Sequence, residues 1–345
     1  MKKQILVTGG AGYIGSHTVV ELVAQGYEVV IVDNLSNSER SALDGISKIC
    51  GFYPPFEEID LTDYQATEHL FQKYNFVAII HFAAYKAVGE SVQKPLAYYR
   101  NNLVSLINLL ELMNKYGVDN MVFSSSCTVY GQPEKLPVSE SAPIQKAMSP
   151  YGNTKQISEE IIQDAIVAMP QLKAIALRYF NPIGAHESAL IGELPRGVPN
   201  NLVPFITQTA IGVREYLRVF GSDYNTPDGT CIRDYIHVVD LAKAHIIAMK
   251  RLLENKNKSS FEFFNLGTGK GATVLEVIKS FEKVSGQKLN YKLVERRPGD
   301  IEKIWADTTL ANQELGWKAE KTLDDAMLSA WRWEQHYRST LQKKQ

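Results

Sequence analysis

Short, nearly continuous apolar runs alternate along this chain with longer stretches in which apolar residues recur at helical spacing. The runs 3–8, 28–33, 76–83, 119–124 and 172–179 are rich in β-branched and aromatic residues and predict strands. Between them the segments 14–25, closed by Gly26, 63–74, 98–116 and 151–168 predict helices. Strands apolar on both faces and separated by helices require cover on both sides, which predicts a parallel, doubly wound α/β sheet.

After Tyr179 the texture changes, because Gly184, Gly192, Pro195, Gly197 and Pro199 punctuate a loop-rich region and polar turns recur through 221–235. A second, smaller and mixed α/β unit is expected there. Residues 236–253 read again as strand then amphipathic helix and are expected to return to the first unit, Glu254–Ser260 reads as a polar linker, and 323–340 as a packing helix carrying Ala326, Met327, Ala330, Trp331 and Trp333. The expected division is 1–181 with roughly 236–258 in one domain, and roughly 182–235 with 259–345 in the other. No internal repeat is visible.

A chain of 345 residues with 45% hydrophobic content fills such cores amply. Formal net charge is −1 without a block of one sign, so neither a nucleic-acid track nor an anionic membrane surface is indicated. Cys50, Cys127 and Cys231 are odd in number and widely spaced, which fits a reducing compartment and suggests the cytoplasm. Met1-Lys2-Lys3 before Ile5-Leu6-Val7 mimics the start of a signal peptide, but glycines break the apolar run at once; no apolar stretch is long enough to span a bilayer. The seven histidines are scattered away from carboxylate and thiol partners, so no metal site is expected.

The candidate chemistry begins at Thr8-Gly9-Gly10-Ala11-Gly12-Tyr13-Ile14-Gly15, which leaves a predicted strand and opens a predicted helix. In that context the glycines allow a tight turn and close approach of backbone to a pyrophosphate at the helix N-terminus. Asp33 ends the second strand, where its carboxylate would bond the adenine ribose hydroxyls and repel an extra phosphate, so NAD is expected rather than NADP. Asn34, Leu35, Ser36, Asn37 and Ser38, with Asp60 and Leu61, lie at strand ends beside the expected adenosine, although such polar residues also simply make turns. Phe82, Ala83, Ala84, Tyr85 and Lys86 follow the strand at 76–81; Lys86 either reaches a cofactor phosphate or ribose or is a solvated loop lysine.

Tyr151 and Lys155 are one helical turn apart and share a face. A tyrosine ionises near pH ~10, and service as a base near neutrality needs a drop of roughly three units, about 4 kcal/mol, which a lysine charge and a nicotinamide cation would supply. Ser126, in Ser124-Ser125-Ser126-Cys127-Thr128-Val129-Tyr130-Gly131, falls at a carboxyl end of the sheet, where ligands bind in such folds.

These motifs, with Arg178-Tyr179-Phe180-Asn181, resemble the extended short-chain dehydrogenase/reductase family and hence a Rossmann-type fold. Pro199-Asn200-Asn201-Leu202, the run Asp228 to His237 and Arg297-Pro298-Gly299-Asp300 narrow the resemblance to the UDP-glucose 4-epimerase family. That resemblance implies that Tyr151 removes the sugar 4-hydroxyl proton, Ser126 bonds the same oxygen and Lys155 lowers the tyrosine pKa. Hydride leaves C4 for a tightly held NAD and returns to the other face of a 4-keto intermediate. It adds Asn101 and Phe180 to the cofactor set. Asn181, Asn201, Leu202, Arg218, Val219, Phe220, Arg233, Arg297, Asp300 and Ile304 form the nucleotide-sugar set, with the arginines suited to the diphosphate.

Two positions depart from the family pattern. Cys127 stands where alanine is common and is expected to be a small buried filler. Ile304 stands where tyrosine accompanies restriction to glucose and galactose, leaving acceptance of UDP-N-acetylhexosamines open. A homodimer is implied, formed by the helices near 98–116 and 151–168. Dehydratases or decarboxylases of this fold usually carry an acid in the serine loop, where this chain has Cys127-Thr128-Val129, and a non-catalytic NAD sensor would not need the tyrosine–lysine pair.

Overall fold

Residues 4–297 and 300–342 are described by the computed structural model, so Lys3 of the first predicted strand and Pro298-Gly299 lie outside the described residues. The first half alternates β1 (Gln4–Thr8), α1 (Tyr13–Ala24), β2 (Glu28–Asp33), α2 (Arg40–Cys50), β3 (Phe56–Glu58), α3 (Tyr64–Lys73) and β4 (Phe76–His81). It continues with α4 (Val88–Gln93), α5 (Pro95–Tyr116), β5 (Asn120–Ser126), α6 (Pro150–Ala168) and β6 (Lys173–Tyr179). The second half contains β7 (Asn181–Ile183), α7 (Leu202–Ala210), β8 (Leu217–Phe220), β9 (Ile232–His237), α8 (Val238–Leu253) and β10 (Phe261–Leu266). It ends with β11 (Gly271–Thr273), α9 (Val274–Ser285), β12 (Tyr291–Val294), β13 (Lys303–Ile304) and α10 (Leu323–Gln342).

Seven strands form one parallel sheet in the order β10-β6-β5-β4-β1-β2-β3. Its two faces explain the continuous apolar runs. Ile5, Val7, Ile31, Ile80, Val122 and Ile175 point to one side and pack with Val19 and Leu22 of α1 and Leu241, Ala244 and Ala248 of α8. Leu6, Val30, Val32, Ile79, Met121 and Phe123 point to the other and meet Leu106, Leu109 and Leu112 of α5 and Ile162 of α6. Alternate residues of each strand thus enter separate cores, each fully buried Val, Leu or Ile contributing about 1.5–3 kcal/mol. The strand order reverses between β1 and β4, which opens a crevice at their carboxyl ends.

Outside this sheet β9 pairs with β7, β11 and β13, and β8 pairs with β12. Helices α7, α9 and α10 close over these strands around Ile206, Val277, Phe281, Met327 and Trp331, with Phe281 edge-on to Trp331 at 5.6 Å between centroids.

Two expectations are corrected. The strand placed from residue 236 runs Ile232–His237 and belongs to the smaller sheet, and only α8 returns to the larger one. The segment Glu254–Ser260 leads into β10, which pairs in parallel with β6, so the large sheet extends past the limit expected near 258. Glu262 interrupts the apolar pattern of that strand, and its burial is made tolerable by Arg251 of α8, whose Nε and Nη2 meet the carboxylate at 2.7 and 2.9 Å.

Candidate active site

Between β1 and α1 the backbone itself shapes a cradle. Gly9 has φ +67°, and a Cβ there would stand 2.8 Å from Ala83 N, while one at Gly15 would collide with the Gly9 carbonyl. Gly12 caps α1 without a side-chain bond, and Tyr13 and Ile14 begin a first turn that carries no acid, so free N–H groups and the helix dipole face the cleft. This glycine-rich turn fits a dinucleotide pyrophosphate.

Asp33 lies beside it. Its Oδ2 accepts from Ala11 N at 3.1 Å, and its Oδ1 accepts from Leu35 N at 2.9 Å and Ser38 Oγ at 2.7 Å. Burial raises the carboxyl pKa, while those three bonds and the Arg196 charge pull it back. Asn34 donates to Asp60 at 3.3 Å, and Ser36 and Asn37 are exposed. Leu61 buries its side chain in the core, and its carbonyl accepts from Asn108 at 2.8 Å.

Along the β4 end, Phe82 packs on the His245 ring at 4.6 Å and Ala83 N donates to Thr8 Oγ1 at 3.4 Å, with Ala84 half-buried next to it. Tyr85 is bracketed by Asn102, which accepts from its N–H at 2.8 Å and donates to its carbonyl at 3.1 Å; Asn101 donates to the same Asn102 oxygen at 2.9 Å. Lys86 is not a free loop lysine: it pairs with Glu193 at 3.4 Å and lies over the Tyr13 ring.

The catalytic candidates converge at the end of β5. Ser149 caps α6 by accepting from Gly152 N at 3.1 Å, which sets Tyr151 in the first turn and Lys155 one turn on. Ser126 Oγ accepts from Thr128 N at 3.2 Å and also hydrogen-bonds Tyr151. Burial, rather than the Lys155 charge, dominates the titration of Tyr151. Burial pushes the phenol up to about 12 against the Ser126 bond, and burial pushes Lys155 down to about 7 against the Glu159 charge. The Lys155 ammonium donates to the Ser124 carbonyl and lies 6.0 Å from the centre of the Tyr151 ring, so desolvation outweighs its charge.

A network not anticipated from the sequence braces this pair. Glu159, one turn beyond Lys155, receives Ser125 Oγ at 2.5 Å and Arg178 Nε and Nη2 at 3.0 and 2.5 Å. Arg178 continues to Tyr130 OH at 3.0 Å, and Tyr130 donates to Asn265 at 2.7 Å. The pair is about 5% exposed and ties β5, β6 and β10 to the helix that carries Tyr151 and Lys155. The available signal was a carboxylate in step with Lys155 on the inner face of α6.

On the smaller unit, Asn181 opens β7, Asn201 and Leu202 open α7, and Arg233 lies on β9 opposite Ile304 of β13. The Arg233 charge favours the Cys127 thiolate, so this end of β9 lies within electrostatic reach of the end of β5. Cys127 is half-buried rather than fully enclosed, and desolvation of its thiol is the main cause that pushes the pKa up to about 12. Arg218 and Arg297 both lie over the Phe220 ring, at 5.5 and 5.6 Å.

Several residues of the expected nucleotide-sugar set have partners within the protein. Arg297 pairs with Asp300 at 2.7 Å, and Asn201 donates to Glu193 at 2.5 Å. Val219 is a core residue that leaves only its backbone to a ligand, and Ile304 is buried in a cluster with Val129, Tyr130 and Phe180. Among the described residues no cluster of three or more His, Cys, Asp or Glu side chains is arranged for a metal ion, and no helix is long and apolar enough to cross a membrane.

The family model described as GDP-mannose 4,6 dehydratase matches residues 6–329. UDP-glucose 4-epimerase of Mus musculus is 52% identical over 338 residues, covering 96% of both chains. The crystal structure of UDP-glucose-4-epimerase from Stenotrophomonas maltophila with bound NAD and formylated UDP-arabinopyranose is 47% identical, covers 98% of this chain and 99% of its own, and superposes with a TM-score of 0.94. That of UDP-glucose 4-epimerase from Bifidobacterium longum in complex with NAD+ and UDP is 46% identical, with 98% and 99% coverage and a TM-score of 0.92.

Proposed function

This chain belongs to the UDP-glucose 4-epimerase family, and from that premise we propose that Tyr151, Ser126 and Lys155 perform its reaction, the reversible interconversion of UDP-galactose and UDP-glucose with NAD. The observation that carries the assignment of roles is the convergence of the Ser126 hydroxyl, the Tyr151 phenol and the buried Lys155 at the carboxyl end of β5, beside the glycine cradle.

NAD, when bound, supplies a hydride acceptor and donor for sugar C4 and a cationic ring whose field favours the phenolate. Gly9, Gly12, Tyr13, Ile14 and Gly15 would hold its pyrophosphate, Asp33 its adenine ribose, and the segment from Phe82 to Lys86 its other half. Tyr151 takes the proton of the 4-hydroxyl and later gives it back, while Ser126 holds the same oxygen in line. Lys155, with a pKa near neutrality, carries its charge on the acidic side of that range and then favours the phenolate. Arg233 and Arg297 suit the diphosphate, once Arg297 exchanges Asp300 for phosphate oxygens, and Phe220 presents a ring to the uracil side. The 3-10 turn Cys127–Tyr130 offers no carboxylate for dehydration.

Purified protein given UDP-galactose and no reductant should yield UDP-glucose of unchanged mass. A dehydrated product, or no product from folded protein that holds NAD, contradicts the assignment. The large-sheet unit, including β10, is assigned to NAD and the smaller unit to the nucleotide sugar. Arg233→Ala should then raise KM for the sugar nucleotide without loss of NAD, and loss of NAD instead counts against that division.

Ile304, smaller than tyrosine, favours acceptance of UDP-N-acetylhexosamines. Turnover of UDP-N-acetylgalactosamine, abolished in Ile304→Tyr while UDP-galactose is still used, is the expected result. A homodimer through α5 and α6 is supported by Val92, Leu96 and Ile107, which stand exposed on α4 and α5. Light scattering should give twice the chain mass, and a monomer at micromolar concentration opposes this interface. The free thiols Cys50, Cys127 and Cys231 favour the cytoplasm, which cell fractionation checks.

A further inference from the structure

Arg196 belongs to the loop between β7 and α7, yet its guanidinium reaches the loop that follows β2. Nη1 donates to the Ser36 carbonyl at 2.8 Å, and Nη2 donates to the Leu35 carbonyl at 2.8 Å and the Ser38 carbonyl at 2.6 Å. The same short loop is held from its other side by Asp33, which receives Leu35 N and Ser38 Oγ. Leu35 has φ +55°, a left-handed conformation unfavourable for leucine, so the loop relies on outside support.

The Arg196 loop is itself seated at both ends of this stretch. The Leu190 carbonyl lies over Gly45 of α2, where a Cβ would collide with it. Trp333 donates to the Glu193 carbonyl at 3.1 Å, its ring covers Gly192, and the Glu193 carboxylate meets Lys86 and Asn201. A segment of the smaller unit is thereby anchored to both lips of the cofactor crevice, at Lys86 and at residues 35–38.

We propose that Arg196 is a cofactor-positioning residue, which clamps the Leu35, Ser36 and Ser38 carbonyls so that Asp33 and its loop keep their ribose-binding shape and the dinucleotide does not leave between turnovers. This rests on the reading that NAD occupies the glycine cradle and Asp33. The reaction returns its hydride within each cycle, so release of the dinucleotide has no part in turnover, and a clamp that slows release costs no rate. The Arg196 charge also helps keep Asp33 ionised against its burial, as ribose binding requires. The planar fork of arginine suits the role, because Nη1 and Nη2 reach the three carbonyls from two separate positions, whereas a lysine has a single nitrogen.

The test compares wild-type, Arg196→Ala and Arg196→Lys holoenzymes, loaded with labelled NAD and chased with excess unlabelled NAD. Dissociation should accelerate by about tenfold or more in Arg196→Ala, as expected for loss of hydrogen bonds to a charged group, and by less in Arg196→Lys. The change should fall on KM for added NAD and not on kcat, and amide exchange at residues 34–38 should quicken. Arg196→Lys carries the comparison if the alanine variant folds poorly. Wild-type dissociation and loop exchange in both variants overturn the proposal, as does a fall in kcat at saturating NAD with retention unchanged. A wild-type protein that binds no dinucleotide overturns the NAD site itself, and the clamp with it.

Discussion

Desolvation governs the reactive side chains one by one. Burial raises the Tyr151 pKa, so the base role proposed for it requires charges that favour the phenolate, from Lys155 and a nicotinamide ring. Tyr151→Phe keeps the packing and removes the proton acceptor. Activity should fall by roughly 10²–10⁴ or more, with the bound dinucleotide still recovered on denaturation. Lys155 shows the opposite displacement. Its pKa of about 7 lies below the ordinary lysine value, so between pH 7 and about 10.5 the unfolded chain binds the extra proton and the cost of burying this group shrinks as pH rises. Lys155→Met should therefore raise the thermal midpoint most at pH 6–7, and progressively less toward pH 10. An equal gain at all pH values would show that the ammonium carries no such burden.

At the scale of elements, the active-site geometry depends on how α6 is pinned to the sheet. Glu159 and Arg178 form that pin, and the two are nearly inaccessible. Glu159→Ala leaves a buried guanidinium without its counter-charge and should destabilise by about 3–5 kcal/mol, read as a shift in the denaturant midpoint. Replacing both residues with methionine should recover much of that loss, since removal of the whole pair also removes its desolvation cost. If single and double variants unfold alike, the pair is not what holds α6. The glycine turn is a second such joint. Gly15→Ala forces a Cβ into the Gly9 carbonyl, and the expected outcome is loss of bound dinucleotide, checked by assay of the denatured supernatant.

For the molecule as a whole, four histidines distributed over both units stay neutral. Burial pushes His17, His81 and His237 down to about 3 and His245 down to about 4. Each takes up a proton on unfolding below its ordinary pKa of about 6.5, so stability is complete above that pH and is lost as pH falls toward 4. Asp33, Asp234 and Glu140, whose carboxyls burial raises, bind protons in the folded state and offset part of the loss. Calorimetry should show a thermal midpoint that declines from pH 6.5 to 4, with less decline when His245 is replaced by a neutral isostere such as glutamine. A flat profile would contradict the neutral state of these rings.

The apolar periodicity determined the sheet strands β1, β2, β4, β5 and β6 and the helices α1, α3, α5 and α6, because a strand buried on both faces leaves an unbroken local pattern, while α2, α4 and the three-residue β3 were not marked by it. Local motifs likewise marked the glycine turn, Asp33, Ser126, Tyr151 and Lys155, whose spacing along one strand or helix already sets their direction. The tertiary structure alone decided that β10 joins the large sheet, since Glu262 hides it until Arg251 of another element neutralises the charge. It alone decided that Lys86 meets Glu193, that Glu159 pins Arg178 and that Arg196 grips the Leu35 loop. Each of these joins residues at least 19 positions apart, by the balance of burial against charge, and that balance exists only after the chain has closed on itself.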